Sequence, residues 1–249
     1  MRTIVCLKRV PDTETRIRLD ASGLRIDPAG VKYVISPYDE YAIELALRAK
    51  EAATQGEVDL VSFGDSATQE ALRKGLAMGA DSAVLLTGEP TLDGLATAKT
   101  LAAELKGSDA PLVLFGVKAA DDDQQQVGTM FATLTGRACV TGVASFTLHP
   151  DKVVCEREVD GSIEVVEAAL PAALTITKGP YEPRLASLKG IMAAKKKPLV
   201  EKPASLETSR MRLRALREPA PRPAGRIVGQ GPDAVTELVR VLRDEAKAI

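Results

Sequence analysis

Hydrophobic and polar positions change their period several times along the chain. TIVCLKRV is a short apolar run rich in β-branched residues and closed by Pro11, the pattern of a buried strand. TRIRLDASGLRIDP alternates apolar and polar residues on both sides of DASG, which predicts a hairpin with a glycine-containing loop. After SPYDE, Ala and Leu recur at helical spacing from Tyr38 to Ala53, with Ser36 as N-cap and Pro37 at the first helical position.

The middle of the chain then alternates between two kinds of segment. EVDLVSFGD, DSAVLLTG and APLVLFGVKA are nearly continuous apolar runs, and SATQEALRKGLAMGA and TLDGLATAKTLAAELKG are amphipathic. Apolar strands alternating with amphipathic helices predict a doubly wound, mostly parallel α/β sheet covered on both faces. Ligands of such sheets bind beyond the carboxyl ends of the strands, where the strand order reverses. The loops after Cys6, Phe63 and Val117 are therefore the ones to watch.

From Cys139 the period becomes two, and Asp160-Gly161 is a hairpin signal, so antiparallel strands are expected to extend the same sheet. Between Arg184 and Arg226 stand twelve Lys or Arg against three acids, in a proline-rich stretch that reads as an extended arm. An amphipathic helix over Pro232 to Ala248 ends the chain. The expected organisation is an α/β domain over residues 1–198 and an arm with a docking helix over 199–249.

Composition narrows the function. Aromatic residues are 3% with no Trp, and the net charge is -1, which disfavours both a base-stacking platform and a basic nucleic-acid surface. Cys6, Cys139 and Cys155 lack CxxC spacing and read as buried thiols. A single histidine, His149, excludes a histidine-based triad and a multi-histidine metal site. No apolar run approaches a membrane span or a signal sequence, so an intracellular location is expected. No nucleophile with an activating base can be assembled, and adjacent Asp121, Asp122 and Asp123 are poorly placed to share one octahedral ion. No metal is expected.

Two loops carry candidate binding chemistry. AADDDQQQVG follows a strand and places Gly128 in the first turn of a helix, whose free N–H groups could hold a phosphate, although three carboxylates oppose it. SFGDSA, Ser62 to Ala67, is a strand-to-helix turn that matches neither GxGxxG nor a P-loop. Each alone reads equally as an ordinary helix start or tight turn. Two such turns are better evidence for a site than either singly, because the sheet would bring them to one edge.

CLKRVPDTE, ISPYDEYAIELALRAKE, LAMGADSAVLL, GVKAADDDQQQVG, EREVDGSIEVVEAALPAALTI and EPRLASLKGIMAAKKKP stand in this order. The set resembles the β subunit of electron-transfer flavoprotein, over Thr3 to about Pro198. The resemblance implies an electron carrier rather than an enzyme. It implies an α subunit that holds most of the FAD, primary flavin dehydrogenases such as acyl-CoA dehydrogenases as donors, and a membrane quinone oxidoreductase as acceptor. It also implies a structural AMP, with a second FAD in that place in bifurcating members. The expected compartment is the bacterial cytoplasm, or the mitochondrial matrix in a eukaryote.

Carried over by residue, the resemblance assigns the nucleotide to Cys6, Pro37, Phe63, Ala119, Asp122, Gln125, Gln126 and Val127. It sets Tyr38 beside the partner's flavin, with Thr13 where some relatives have Tyr. Leu188, beside Leu185, matches a leucine that enters a pocket on the dehydrogenase, within a recognition loop over 181–197. Lys195, Lys196 and Lys197 read either as steering charges or as solvated loop charges. Bifurcating members carry DGD where this chain has DDD, and the Asp122 carboxylate removes room and adds charge against a diphosphate, which favours AMP. Val127 replaces a usual hydroxyl residue, so a phosphate contact there would come from backbone. A different class, an adenine-nucleotide-binding regulatory module, shares the α/β pattern but gives no role to the hairpin or arm.

Overall fold

The computed structural model describes residues 1–249 apart from Thr54, Thr91, Glu207, Arg222 and Pro223. Two of the arm's expected charges, Glu207 and Arg222, therefore lie outside the described residues. The chain divides into two compact units, Met1–Ala215 and Leu216–Ile249.

The first unit is built on a nine-stranded sheet. Its strands are β1 (Arg2–Cys6), β4 (Glu57–Gly64), β5 (Ser82–Thr87), β6 (Leu112–Gly116), β7 (Ala138–Leu148), β8 (Lys152–Val159), β9 (Ser162–Ala169), β10 (Ala172–Ile176) and β11 (Leu199–Pro203). They lie in the order β11-β5-β4-β1-β6-β10-β7-β8-β9. All pairings from β11 to β7 are parallel, and β7, β8 and β9 pair antiparallel. The doubly wound sheet with antiparallel additions is thus present as the sequence predicts.

Alternation along the strands sorts the core into two layers. Val5, Leu60, Leu114 and Leu174 face helices α1 (Pro37–Ala52) and α2 (Thr68–Met78). Ile4, Val61, Val113 and Phe115 face α3 (Gly94–Leu105) and α4 (Val127–Thr135). Both faces are covered, which is why the central strands read as unbroken apolar runs. Asp93 caps α3 by accepting from the N–H groups of Leu95 and Ala96, at 3.0 and 3.3 Å. Asp160 and Gly161 both adopt positive φ, 47° and 81°, the two-residue turn that joins β8 to β9.

Four expectations are corrected. The hairpin over Thr15 to Pro28 is reduced to one bridge, Leu19 to Ile26, because Ile17 and Leu24 find no apolar layer and stay exposed. The ladder forms on either side of it, between β2 (Arg9–Pro11) and β3 (Tyr33–Ile35). Ser36 stands at the N-cap of α1, but its hydroxyl makes no cap bond and is buried without a partner among the described residues. Cys139 is exposed, unlike Cys6 and Cys155. The compact unit runs past Pro198 to Ala215, because Leu199–Pro203 pairs with β5 as an edge strand instead of starting an arm.

The second unit holds little regular structure. A 3₁₀ turn (Pro232–Ala234), helix α6 (Val235–Arg240) and a π-type turn (Val241–Glu245) follow one another, with no buried residue in any of them. The regular structure stops before the expected Ala248. Among the described residues no helix is long and apolar enough to cross a membrane.

Candidate nucleotide cleft and docking knob

β1 lies between β4 and β6, so the chain leaves it toward opposite halves of the sheet and a crevice opens at the carboxyl ends of the three strands. A cleft of about 220 Å³ occupies that position. Its walls are the exits of β1 (Cys6 to Arg9), β4 (Phe63 to Asp65) and β6 (Gly116 to Ala119), with Gly94 and Thr97 of α3 and the Asp122 to Gly128 loop closing it.

One buried carboxylate holds two of these exits together. Asp39, in the first turn of α1, accepts from the backbone N–H of Lys8 and of Gly116, each at 2.8 Å. A Cβ on residue 116 would collide with Asp39, so glycine is required where β6 ends. Burial pushes the Asp39 carboxyl up to about 7, against the pull of the two backbone donors and Lys8. Burial likewise keeps the Cys6 thiol protonated well above its ordinary range, so it serves as an apolar wall.

The acidic loop is neutralised locally. Lys8 Nζ donates to Asp121 Oδ1 at 2.8 Å and to Asp122 Oδ2 at 2.9 Å, and Lys118 Nζ donates to Asp123 Oδ2 at 2.8 Å. The three carboxylates thus serve two different cations. Asp123 and Gln125 take positive φ, 50° and 56°, which folds the loop tightly before α4. The Gln126 side chain makes no cap bond to α4, so among the described residues its first-turn N–H groups have no N-cap acceptor. Gly128 has a packing reason as well: a Cβ there would stand 2.7 Å from Thr175 and 3.3 Å from Phe115.

Seven of the eight sequence-assigned residues meet at this cleft: Cys6, Phe63, Ala119, Asp122, Gln125, Gln126 and Val127. Pro37 does not; it is exposed at the start of α1, and Asp39, two residues on, faces the cleft instead. Tyr38 is half-buried, with Lys118 Nζ 5.9 Å from its ring centre, and Thr13 is exposed in the loop after β2. Sequence reading missed Lys8, Arg9 and Asp39. Lys8 and Arg9 follow a strand that points at the switch point, which was signal enough to name them. Arg9 stacks on the Tyr33 ring at 3.7 Å and buries its Nε–H without an acceptor among the described residues.

A second candidate surface lies over the C-terminal end of α2, where Gly190 approaches Ala77. Glu44 of α1, 1% exposed, accepts from Arg184 Nε at 2.8 Å and Arg48 Nε at 2.7 Å, and Arg184 also reaches Glu51. Burial raises the Glu44 carboxyl, but the bonds from Arg184 and Arg48 outweigh it and hold the group below its ordinary value. Arg48 covers the Tyr181 ring at 4.1 Å, and Tyr41 donates to Glu182 at 2.8 Å. These contacts bolt the start of the recognition stretch to α1.

Beyond this anchor the stretch is a helix, not a loop. Leu188 is the first residue of α5 (Leu188–Ala194), which Ser187 caps by accepting from Gly190 N–H at 3.0 Å. Leu185 is 93% exposed, Leu188 84% and Met192 72%. Ile191 and Met192, three and four residues after Leu188, continue the apolar face. That spacing was legible in the sequence, but only the two leucines were singled out. Arg73 donates to the carbonyls of Ala194 and Lys197, at 2.6 and 2.9 Å, and fixes the far end. Lys195 and Lys196 are exposed, which both the steering and the solvated-charge reading require. Lys197 is not: its ammonium donates to the carbonyls of Leu76 and Ala80 at the end of α2, and its burial lowers its pKa.

Residues 23–207 match the family model described as the electron transfer flavoprotein domain. The chain belongs to the electron transfer flavoprotein family. It is 38% identical to the electron transfer flavoprotein subunit beta of Bradyrhizobium diazoefficiens over 99% of both chains. It is 35% identical to that of Bacillus subtilis over all of both, and 37% identical to that of Homo sapiens over 98% of both. The chain is thus an electron transfer flavoprotein component of the β-subunit kind, which sets aside the regulatory-module reading.

Proposed function

We propose that this β subunit pairs with a larger α subunit that holds the FAD, and that its own cleft binds one structural AMP. Primary flavin dehydrogenases, acyl-CoA dehydrogenases among them, dock on Leu185 and Leu188 and give up electrons, which the heterodimer passes to a membrane quinone oxidoreductase. The subunit works as a carrier in the bacterial cytoplasm, or in the mitochondrial matrix of a eukaryote. One observation carries the nucleotide reading: seven residues from three separate segments, the ends of β1 and β4 and the β6–α4 connection, line one cleft at the switch point. The donor set supports it, since the uncapped first turn of α4 and the Arg9 Nε–H both offer unused N–H groups to an anionic ligand.

A second FAD in place of AMP has one observation in its favour. Lys8 neutralises Asp121 and Asp122, which removes much of the charge that was expected to repel a diphosphate. The steric part of the argument remains, because Asp122 still lines the cleft. The deciding experiment is co-expression with the α subunit, denaturation of the purified complex and quantitation of released nucleotides. One FAD with one AMP per heterodimer is expected; two FAD and no AMP would replace this reading with a bifurcating one.

A further inference from the structure

Among the described residues three cations line the cleft, Lys8, Arg9 and Lys118. Two are already committed, Lys8 to Asp121 and Asp122 and Lys118 to Asp123. Arg9 differs from both. Among the described residues it has no carboxylate partner, and its Nε–H is buried without any acceptor. A buried donor left unpaired costs free energy, and native proteins keep one only where something else satisfies it.

The local structure holds this donor in place. Arg9 lies on the β2–β3 ribbon opposite Ile35, and its guanidinium lies against the Tyr33 ring at 3.7 Å. Stacking fixes the plane of the group without using any of its N–H donors, and Arg9 lines the cleft. A flexible lysine on a surface can find water; a stacked guanidinium with a buried Nε–H is shaped for one planar or tetrahedral oxyanion.

We propose that Arg9 is the anion-receiving residue of this cleft, its guanidinium pairing with an oxyanion of the bound nucleotide. The inference rests on the cleft being a nucleotide site. The same chemistry has two sources, the phosphate of AMP in the cleft and an anionic group of the flavin held by the α subunit. Under the AMP assignment Arg9 selects nucleotide over nucleoside, while the apolar walls at Cys6 and Phe63 select neither.

The test uses the heterodimer with wild-type chain, Arg9→Gln and Arg9→Lys, by equilibrium dialysis against AMP and against adenosine, with FAD content and flavin reduction potential read on the same samples. Loss of one charge-assisted pair predicts AMP binding weakened about 10- to 100-fold in Arg9→Gln, with adenosine binding unchanged and substantial recovery in Arg9→Lys. Unchanged AMP with a fall in FAD content or a shifted potential, restored by Arg9→Lys, supports the same anion role with the flavin as its source. Equal weakening of AMP and adenosine, or no change in nucleotide and flavin alike, overturns the proposal and leaves Arg9 a packing residue. If the wild-type heterodimer binds no AMP and carries two FAD, the AMP reading fails by itself. Arg9→Gln is then expected to lose the second FAD, and retention of both flavins would overturn the Arg9 role separately.

Discussion

Asp39 is a carboxylate that joins two strand exits from a buried position, and its protonation therefore matters to folding. Its folded value of about 7 lies above the ordinary 3.8, so folding takes up a proton between those values. Stability contributed by this group is greatest at low pH and falls as pH rises through about 7. Asp39→Asn is expected to flatten that slope, which melting curves of the heterodimer at about pH 5 and about pH 8 would read. Glu44 works in the opposite sense, since its value is lowered and its contribution is lost on acidification. Arg184→Ala strips the principal partner from this buried carboxylate and should cost about 3 kcal/mol in urea unfolding, the low end for such a loss because Arg48 remains. Neither residue was legible in the sequence as more than a helix acid, because the partners lie far along the chain: Gly116 for Asp39 and Arg184 for Glu44. By contrast the loops after Cys6, Phe63 and Val117 were legible because each follows an apolar strand, and the family resemblance then singled out Cys6, Phe63 and the Gln125 to Val127 run within or beside them.

At the scale of elements, the knob is a short helix pressed against α2. A Cβ on Gly190 would collide with the Ala77 carbonyl, so α5 can lie this close only with glycine there. Gly190→Ala should lower stability by about 1–3 kcal/mol, as overpacking does, and should also weaken docking by tilting Leu188, as melting and dehydrogenase-coupled flavin reduction would show. Leu188→Ala removes the exposed anchor alone. Burying a leucine contributes roughly 1.5–3 kcal/mol, so acceptance of electrons from a dehydrogenase should weaken about tenfold or more while FAD content and melting temperature hold. Loss of FAD in this variant would contradict the division between knob and cleft. The hairpin that sequence misjudged has a plain cause. Period-two alternation over Thr15 to Pro28 looked like a hairpin, but alternation makes strands only where one face has a layer to cover it. Helices α1 to α3, which do have that layer, came out close to the expected ranges, and Gly128 does stand in the first turn of α4.

Across the whole molecule, the parallel sheet and its switch point were readable from the order of apolar runs, because each crossover connection is nearly forced once strands and helices alternate. The extent of the first unit was not readable, since Leu199–Pro203 carries the charges Glu201 and Lys202 that suit an edge strand as well as an arm. The second unit buries none of the side chains in its helical turns. Deleting Pro232 to Ile249 is expected to lower heterodimer yield in co-expression, and an unaffected yield would show that this segment does not hold the α subunit. The position of β1 carries its own consequence for synthesis. β1 belongs in the middle of the sheet yet is synthesised before both strands that flank it, and it gains one neighbour with residues 57–61 and the other only with residues 112–115. Until then its apolar edge stands open, so the nascent chain between these two points is the form most exposed to mispairing and the one a chaperone has most reason to hold.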